Sequence, residues 1–330
     1  MYYRSFNDLN DAVVGWLPRL PARLDLVVGI PRSGLLVANL IALYRGLPMT
    51  DVEGLIAGRL LTAPGEAPPD LFGDGRALDV LVVDDSVYSG KELTRTRARL
   101  RAAGLPHRLL FGAAYVRPAR RGAVDSWAEV VPHPRAFEWN LMHHPYLELS
   151  CLEVDGVLCA PPPPGADPGD PAVLAGLSPL LRPTTKLGWL VTARPERLRR
   201  TTEAWLDRHG IAARGLCMAP EGEEPERTAA RKAEAYRSSR AWLFLEDGAG
   251  MASAIASRTG RPVFCAADRT MVYPGGQARP SPRDRLESLA WSMRFGVERR
   301  LQRRAMPALG RPPGPLARRA TAPLGAEARP

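Results

Sequence analysis

Val82-Val83-Asp84-Asp85-Ser86-Val87-Tyr88-Ser89-Gly90-Lys91 decides how the first half of this 330-residue chain reads. The run from Asp79 to Val83 is short and β-branched, the pattern of a buried strand. Two adjacent carboxylates at the carboxyl end of such a strand are costly unless something cationic or polyhydroxylated meets them. A short loop follows, leading into an expected helix over 92–103. The backbone N–H groups of such a loop, with a helix N-terminus behind them, make a phosphate site. Carboxylates for sugar hydroxyls beside amides for a phosphate suit one ligand class, a ribose 5-phosphate.

Outward from this stretch the same alternation recurs. Leu24-Asp25-Leu26-Val27-Val28-Gly29-Ile30 reads as a buried strand with a helix over 35–44 behind it, and 109–115 reads as a third strand. Continuous apolar strands alternating with helices predict an α/β fold with a parallel sheet covered on both faces. Residues 60–79, rich in Pro, Gly and Asp, read as a mobile loop crossing the strand ends. The second half repeats the pattern, with strands expected over 147–152, 187–192, 215–218, 241–246 and 262–265. Helices are expected over 195–209, with Pro195 in the first turn and Gly210 at the stop, and over 225–238. The halves meet near 140–145. This divides the chain into 1–143, 144–274 and a basic tail over 275–330.

Charge bounds the partners. The net charge is +10, but twelve Arg against four acidic residues from Gly275 onward account for eight of those charges. A basic tail permits weak contact with polyanions and is not a recognition surface by itself. Leu286, Leu289, Met293, Val297 and Leu301 lie at helical spacing, so one amphipathic basic helix is expected, docked on the second half; residues 311–330 read as disordered. The four cysteines, Cys151, Cys159, Cys217 and Cys265, follow no metal spacing and read as buried thiols. No signal-peptide core and no bilayer-length apolar run is seen. The expectation is a soluble cytoplasmic protein with no membrane partner.

With those residues in view, 80–92 resembles the phosphoribosyl-diphosphate (PRPP) motif of type I phosphoribosyltransferases, an apolar strand, two acidic residues, three variable positions, Thr or Ser, then Gly. The segment Val28-Gly29-Ile30-Pro31-Arg32-Ser33-Gly34 resembles the pyrophosphate loop of that family, and 60–79 falls where the family has its active-site flap. The resemblance implies a phosphoribosyltransferase-like fold. It also implies transfer of 5-phosphoribosyl from PRPP to a small-molecule acceptor, with pyrophosphate released and Mg2+ as cofactor. By it, Asp84 and Asp85 contact the ribose hydroxyls directly or around Mg2+. Ser86, Val87, Tyr88, Ser89, Gly90, Lys91 and Glu92 hold the 5-phosphate, and Arg32, Ser33 and Gly34 take the leaving pyrophosphate. Phe137 and Trp139 lie where relatives cover the acceptor, so either could stack on a flat base; the alternative is that both pack the seam between the halves. Two positions depart from the pattern. Tyr88 stands where purine-salvage members carry an Asp that works on the base, and Glu92 replaces a Thr, bringing a negative charge beside a phosphate site unless it turns outward. A PRPP sensor without catalysis is the other reading of such a domain, and a homo-oligomer is left open.

In the second half, Cys151-Leu152-Glu153-Val154-Asp155-Gly156 resembles the first motif of haloacid dehalogenase-like (HAD-like) phosphatases, Asp-x-Asp-Gly after a strand. Thr192, Lys232 and the pair Glu246-Asp247 stand where the second, third and fourth motifs are expected. The resemblance implies a HAD-like Rossmannoid fold, with Asp155, Glu246 and Asp247 as a second candidate Mg2+ set. The nucleophile position holds Glu153 rather than Asp, and one added methylene misplaces the carboxylate for in-line attack. A degenerate domain is therefore expected. If it were active, it would remove the 5-phosphate after transfer.

Overall fold

The computed structural model describes residues 1–61, 70–73 and 75–276. In chain order its elements are β1 (Tyr2–Arg4), α1 (Phe6–Trp16), β2 (Leu26–Gly29), α2 (Gly34–Arg45), β3 (Met49–Asp51), α3 (Val52–Ile56), β4 (Asp79–Val87), α4 (Lys91–Ala102), β5 (Arg108–Val116), β6 (Ser126–Val130) and β7 (Arg135–Phe137). They continue with β8 (Ser150–Leu152), α5 (Pro171–Gly176), β9 (Leu187–Pro195), α6 (Arg199–Arg208), β10 (Ala213–Ala219), α7 (Pro225–Ser238), β11 (Leu243–Glu246), α8 (Ala249–Thr259), β12 (Val263–Cys265) and β13 (Thr270–Val272).

Five strands pair in parallel in the order β3-β2-β4-β5-β6, and six form a second sheet in the order β10-β9-β8-β11-β12-β13. In the second sheet only β13 runs antiparallel, against β12. The chain is thus an α/β protein with parallel sheets flanked by helices. The pleat sorts the first apolar run onto two faces. Leu81 and Val83 pack with Trp16, Val37 and Ile41, while Val80 and Val82 pack with Leu93 and Leu100 of α4. Burying both faces is what a continuous run of Val and Leu requires, at about 1.5–3 kcal/mol per large side chain removed from water.

One register detail positions the site. β4 pairs with β2 only as far as Val83, opposite Gly29, but runs on beside β5 to Val87, opposite Val116. The acidic pair therefore lies within β4, on the stretch that has lost one neighbour and faces a crevice at the strand ends. The sequence places the pair at the carboxyl end of the strand, and the strand continues past it to Val87.

Other expectations shift in register. Residues 147–152 are not all strand: Pro145 opens a 3-10 turn, Pro145–Leu149, whose first amides are capped by His144, and β8 keeps only three residues. Pro195 ends β9 rather than opening a helix; a 3-10 turn over Glu196–Leu198 precedes α6. The 60–79 loop is described only in part, since 62–69 and 74 lie outside the described residues. So do the expected helix over 286–301 and the tail over 311–330.

A small parallel ribbon of β1 and β7 sits apart from the large sheets. It joins the two halves. Tyr3 and Ala136 from the ribbon share one buried apolar cluster with Leu152, Leu190, Leu245 and Phe264 of the second half. The Tyr3 and Phe264 rings lie 5.3 Å apart, and the Tyr273 hydroxyl donates to the Met1 carbonyl at 2.7 Å. Among the described residues no helix is long and apolar enough to cross a membrane.

Candidate functional site

At the end of β4 the Asp84 carboxyl is pushed up to about 8, first by burial and then by the neighbouring Asp85. Asp85 is itself buried, its backbone N–H donates to Asp84 Oδ1 at 2.8 Å, and the Trp139 indole N–H donates to Asp85 Oδ2 at 2.7 Å. The loop over 30–34 comes directly against this pair. Ile30 N–H donates to the Val83 carbonyl at 2.8 Å. A Cβ at Gly34 would lie 2.7 Å from that same oxygen and 3.1 Å from Asp84 Cα, so only glycine lets the start of α2 close on the acidic pair. Arg32 and Ser33 are thereby held on a short turn at the rim, with Arg32 exposed. The Pro31–Arg32 peptide is cis.

Beyond the pair, Ser86 and Val87 finish β4, and Gly90 turns the chain into α4 with φ +79. Ser89 Oγ accepts from Lys91 N–H at 3.3 Å, and Ser89 and Lys91 are both exposed at the helix start. Glu92 is exposed and paired with Arg95 at 3.4 Å, and its charge adds a little to the upward push on Asp84. Acidic pair, glycine-turned loop and helix start follow one another along the chain, and the 30–34 loop packs on the pair through Gly34.

The aromatic residues divide differently from expectation. Phe137 is 4% exposed and belongs to the core, its ring 5.2 Å from Tyr115 and 5.0 Å from Trp139, both stacked. A ring so enclosed offers no face to an incoming base, which corrects the expectation that Phe137 stacks on the acceptor. Trp139 is half-buried, and its hydrogen bond orients Asp85. Arg135 opens the segment 135–139 that the resemblance places over the acceptor, and two residues without a sequence motif, Arg117 just after β5 and His133, join it. Both guanidinium groups lie over the half-exposed Tyr88 ring, Arg117 at 4.7 Å and Arg135 at 5.9 Å, and His133 lies 5.5 Å from it. Only the position of Arg117 at a strand end could have signalled it.

In the second half Glu153, Lys232 and Glu246 are all buried and in contact. Lys232 Nζ lies 2.5 Å from Glu153 and 2.8 Å from Glu246. Glu153 also accepts from Val154 N–H at 2.7 Å and Ala193 N–H at 3.1 Å. Burial pushes Glu246 up to about 9, helped by a hydrogen bond with Asp247 and opposed by Lys232. Gly156 has φ +70, and a Cβ there would lie 2.5 Å from Asp247 Cβ, so those two loops touch. Thr192 Oγ1 accepts from Arg194 N–H at 3.2 Å.

Asp155 is taken by Arg194, whose Nε and Nη2 donate to it at 2.9 and 2.6 Å. Arg194 thus pairs with Asp155 and Lys232 with Glu246, two of the three carboxylates expected as a second Mg2+ set. Among the described residues no cluster of three or more His, Cys, Asp or Glu side chains is arranged to hold a metal.

No family model matches the chain, and no curated protein matches it. Among solved structures it is similar to the xanthine-guanine-hypoxanthine phosphoribosyltransferase of Helicobacter pylori, at 16% identity over 42% of this chain and 92% of that one, with a TM-score of 0.32. It is similar to the purine phosphoribosyltransferase of Pyrococcus horikoshii at 19% identity, over 42% and 92%, with a TM-score of 0.30. The adenine phosphoribosyltransferase of Thermoanaerobacter pseudethanolicus aligns at 15% identity over 38% and 80%, with a TM-score of 0.26. At such scores these are similarities only, and the functional reading rests on the residues of this chain.

Proposed function

We propose that the first half is a PRPP-dependent phosphoribosyltransferase acting on a small-molecule acceptor. The observation that carries this is the seating of the 30–34 loop against Asp84 through Gly34. It brings exposed amides and Arg32 beside two carboxylates and a glycine-turned helix start, the combination a sugar carrying a phosphate and a diphosphate requires. In this reading Asp84 and Asp85 take the ribose 2- and 3-hydroxyls. The segment 86–92 holds the 5-phosphate on backbone N–H groups and Ser89 Oγ, and Arg32, Ser33 and Gly34 stabilise the leaving pyrophosphate. Trp139 keeps Asp85 oriented.

The pair also fits Mg2+. Two adjacent carboxylates suit an ion that keeps several waters and takes further oxygens from its substrate, and its charge would oppose the burial and the Asp85 neighbour that push Asp84 up. When bound, Mg2+ would neutralise charge on the diphosphate. The residues themselves fix the anomeric carbon between leaving group and acceptor, and positioning of that kind supplies much of the rate.

The second half is read as a HAD-like domain without hydrolytic function. The strand order and the convergence of Glu153, Lys232 and Glu246 support the fold reading. Saturation of Glu153 by Lys232 and two amides, and of Asp155 by Arg194, supports the loss of activity.

The test is pyrophosphate release from Mg2+-PRPP across a broad acceptor panel, with Asp85→Asn as control. Release that needs an acceptor and is lost in the variant supports the proposal. PRPP binding with no release for any acceptor favours a PRPP sensor, a reading that Tyr88 prompts because it offers no acid–base carboxylate at its position. Free ribosylated product, rather than phosphorylated product, would restore a hydrolytic role to the second half.

A further inference from the structure

The wall of the first site carries charge that neither the acidic pair nor the loop amides use. Arg135 is 4% exposed, and its Nη1 has no hydrogen-bond partner among the described residues. Arg117 lies 4.7 Å from the Tyr88 ring, Arg135 lies 5.9 Å from that ring and 5.2 Å from Phe137, and Arg117 reaches the Tyr88 carbonyl only at 3.5 Å. Among the described residues neither guanidinium is ion-paired to a carboxylate. Asp85 acts on Arg135 at longer range, but its Oδ2 already accepts from Trp139. His133, beside Tyr88, is held down at about 4, by burial first and then by Arg117 and Arg135.

A buried cation with an unfilled donor is costly, and two arginines converging on one ring repel each other. An oxyanion between them would satisfy the donor and cancel the repulsion, and the planar fork of a guanidinium matches the two oxygens of a carboxylate. Tyr88, half-exposed, marks where such a group meets solvent.

We infer that the acceptor carries a carboxylate, and that Arg135 and Arg117 bind it beside the Tyr88 ring. This rests on the phosphoribosyl-transfer reading of the adjoining loop. The arginines are assigned to the acceptor and not to the donor because the turn over 88–90 and the start of α4 already provide amides for a phosphate. The choice of tyrosine follows as well: an aspartate at position 88 would repel an anionic acceptor, whereas a neutral phenol presents a flat face to it.

Benzoate, with benzamide as its uncharged counterpart, is titrated by calorimetry into the full chain with and without Mg2+-PRPP. The proteins are wild type, Arg117→Ala, Arg135→Met and Arg135→Lys. Wild type is expected to bind benzoate at least tenfold tighter than benzamide. Arg117→Ala should weaken benzoate about fivefold while changing PRPP affinity less than twofold, and Arg135→Met should erase the preference that Arg135→Lys partly keeps. Arg117 is only half-buried, so its variant remains informative if Arg135→Met does not fold. Equal affinity for benzoate and benzamide in wild type overturns the proposal, as does a preference that survives Arg117→Ala undiminished. An equal loss of PRPP and benzoate affinity in Arg117→Ala assigns the arginines to a donor phosphate and also overturns it. If PRPP fails to bind while benzoate binds through the arginines, the transfer reading falls and the carboxylate site stands.

Discussion

Asp84 shows how a site residue can oppose the stability of its own fold. Its carboxyl stands at about 8 in the folded chain, through burial and the adjacent Asp85, against about 3.9 when unfolded. Between those values the folded state holds a proton that the unfolded state has released, so this group lowers stability as pH rises from about 4 to about 8. Asp84→Asn keeps the shape and cannot ionise. It is expected to be more stable than wild type at pH 8.5 by on the order of 1–2 kcal/mol, to differ little near pH 4, and to bind PRPP at least tenfold more weakly. Urea midpoints across pH, with a PRPP titration, check this; parallel pH profiles for the two proteins would count against a protonated Asp84. Lys232 is the opposite case, a buried cation that two carboxyls need. Lys232→Met should cost about 3–5 kcal/mol, because it leaves Glu153 and Glu246 buried without their counter-charge. Denaturant unfolding measures that loss, and Glu153→Gln added to the variant should recover part of it. The types and positions of these residues were legible in sequence, since acid pairs at strand ends and a lysine at the third-motif spacing stand out. Their partners were not. Arg194 on Asp155 and Trp139 on Asp85 are contacts across 39 and 54 residues that leave no local trace.

At the scale of elements, legibility follows length and period. The runs that became β2, β4, β5 and β9 each hold an apolar core of several residues and were readable as buried strands. The three-residue strands β1, β3 and β7 are too short for any period to show, yet β1 and β7 build the wall that carries Arg135. α1 was passed over although Ser5 and Asp8 close a capping box at its start, a signal that was there to be read. The element contact on which the site depends most is that of α2 against β4. Gly34→Ala would place a Cβ 2.7 Å from the Val83 carbonyl, a backbone atom that cannot rotate away, so α2 must retreat from the acidic pair. The expected result is about 1–3 kcal/mol of lost stability and at least tenfold weaker PRPP binding. Gly122→Ala, with nothing within 4 Å of its added carbon, should change neither. Calorimetric titration and thermal unfolding of the two variants side by side measure the contrast. Normal PRPP affinity in Gly34→Ala would mean the diphosphate is not held at this turn.

Across the whole molecule, the two sheets are tied by apolar packing that begins at the very start of the chain. Tyr3 reaches Phe264, and Met1 meets Tyr273, so residues at the N-terminus pack on the last strands of the second sheet. The ribbon that carries Arg135 therefore rests on the second half, and a domain read as catalytically silent still has a structural task beneath the first site. Division into domains by sequence pattern places the halves in order but cannot see this sharing, because the strand that makes it is three residues long and lies 133 residues before its partner β7 in the ribbon. If the halves are energetically one unit, damage at the seam must be felt in both. Phe264→Ala removes a buried ring from the shared cluster and should cost about 3–5 kcal/mol. The loss should appear as one cooperative transition shifted to lower temperature, and hydrogen exchange should show matching loss of protection in β4 of the first sheet and β8 of the second. Protection lost around β8, with β4 unchanged, would mean that the second half unfolds on its own and that the seam is a contact between independent domains. A uniform loss, together with weaker PRPP binding at temperatures where the variant is still folded, would make the second half the platform on which the first site is assembled.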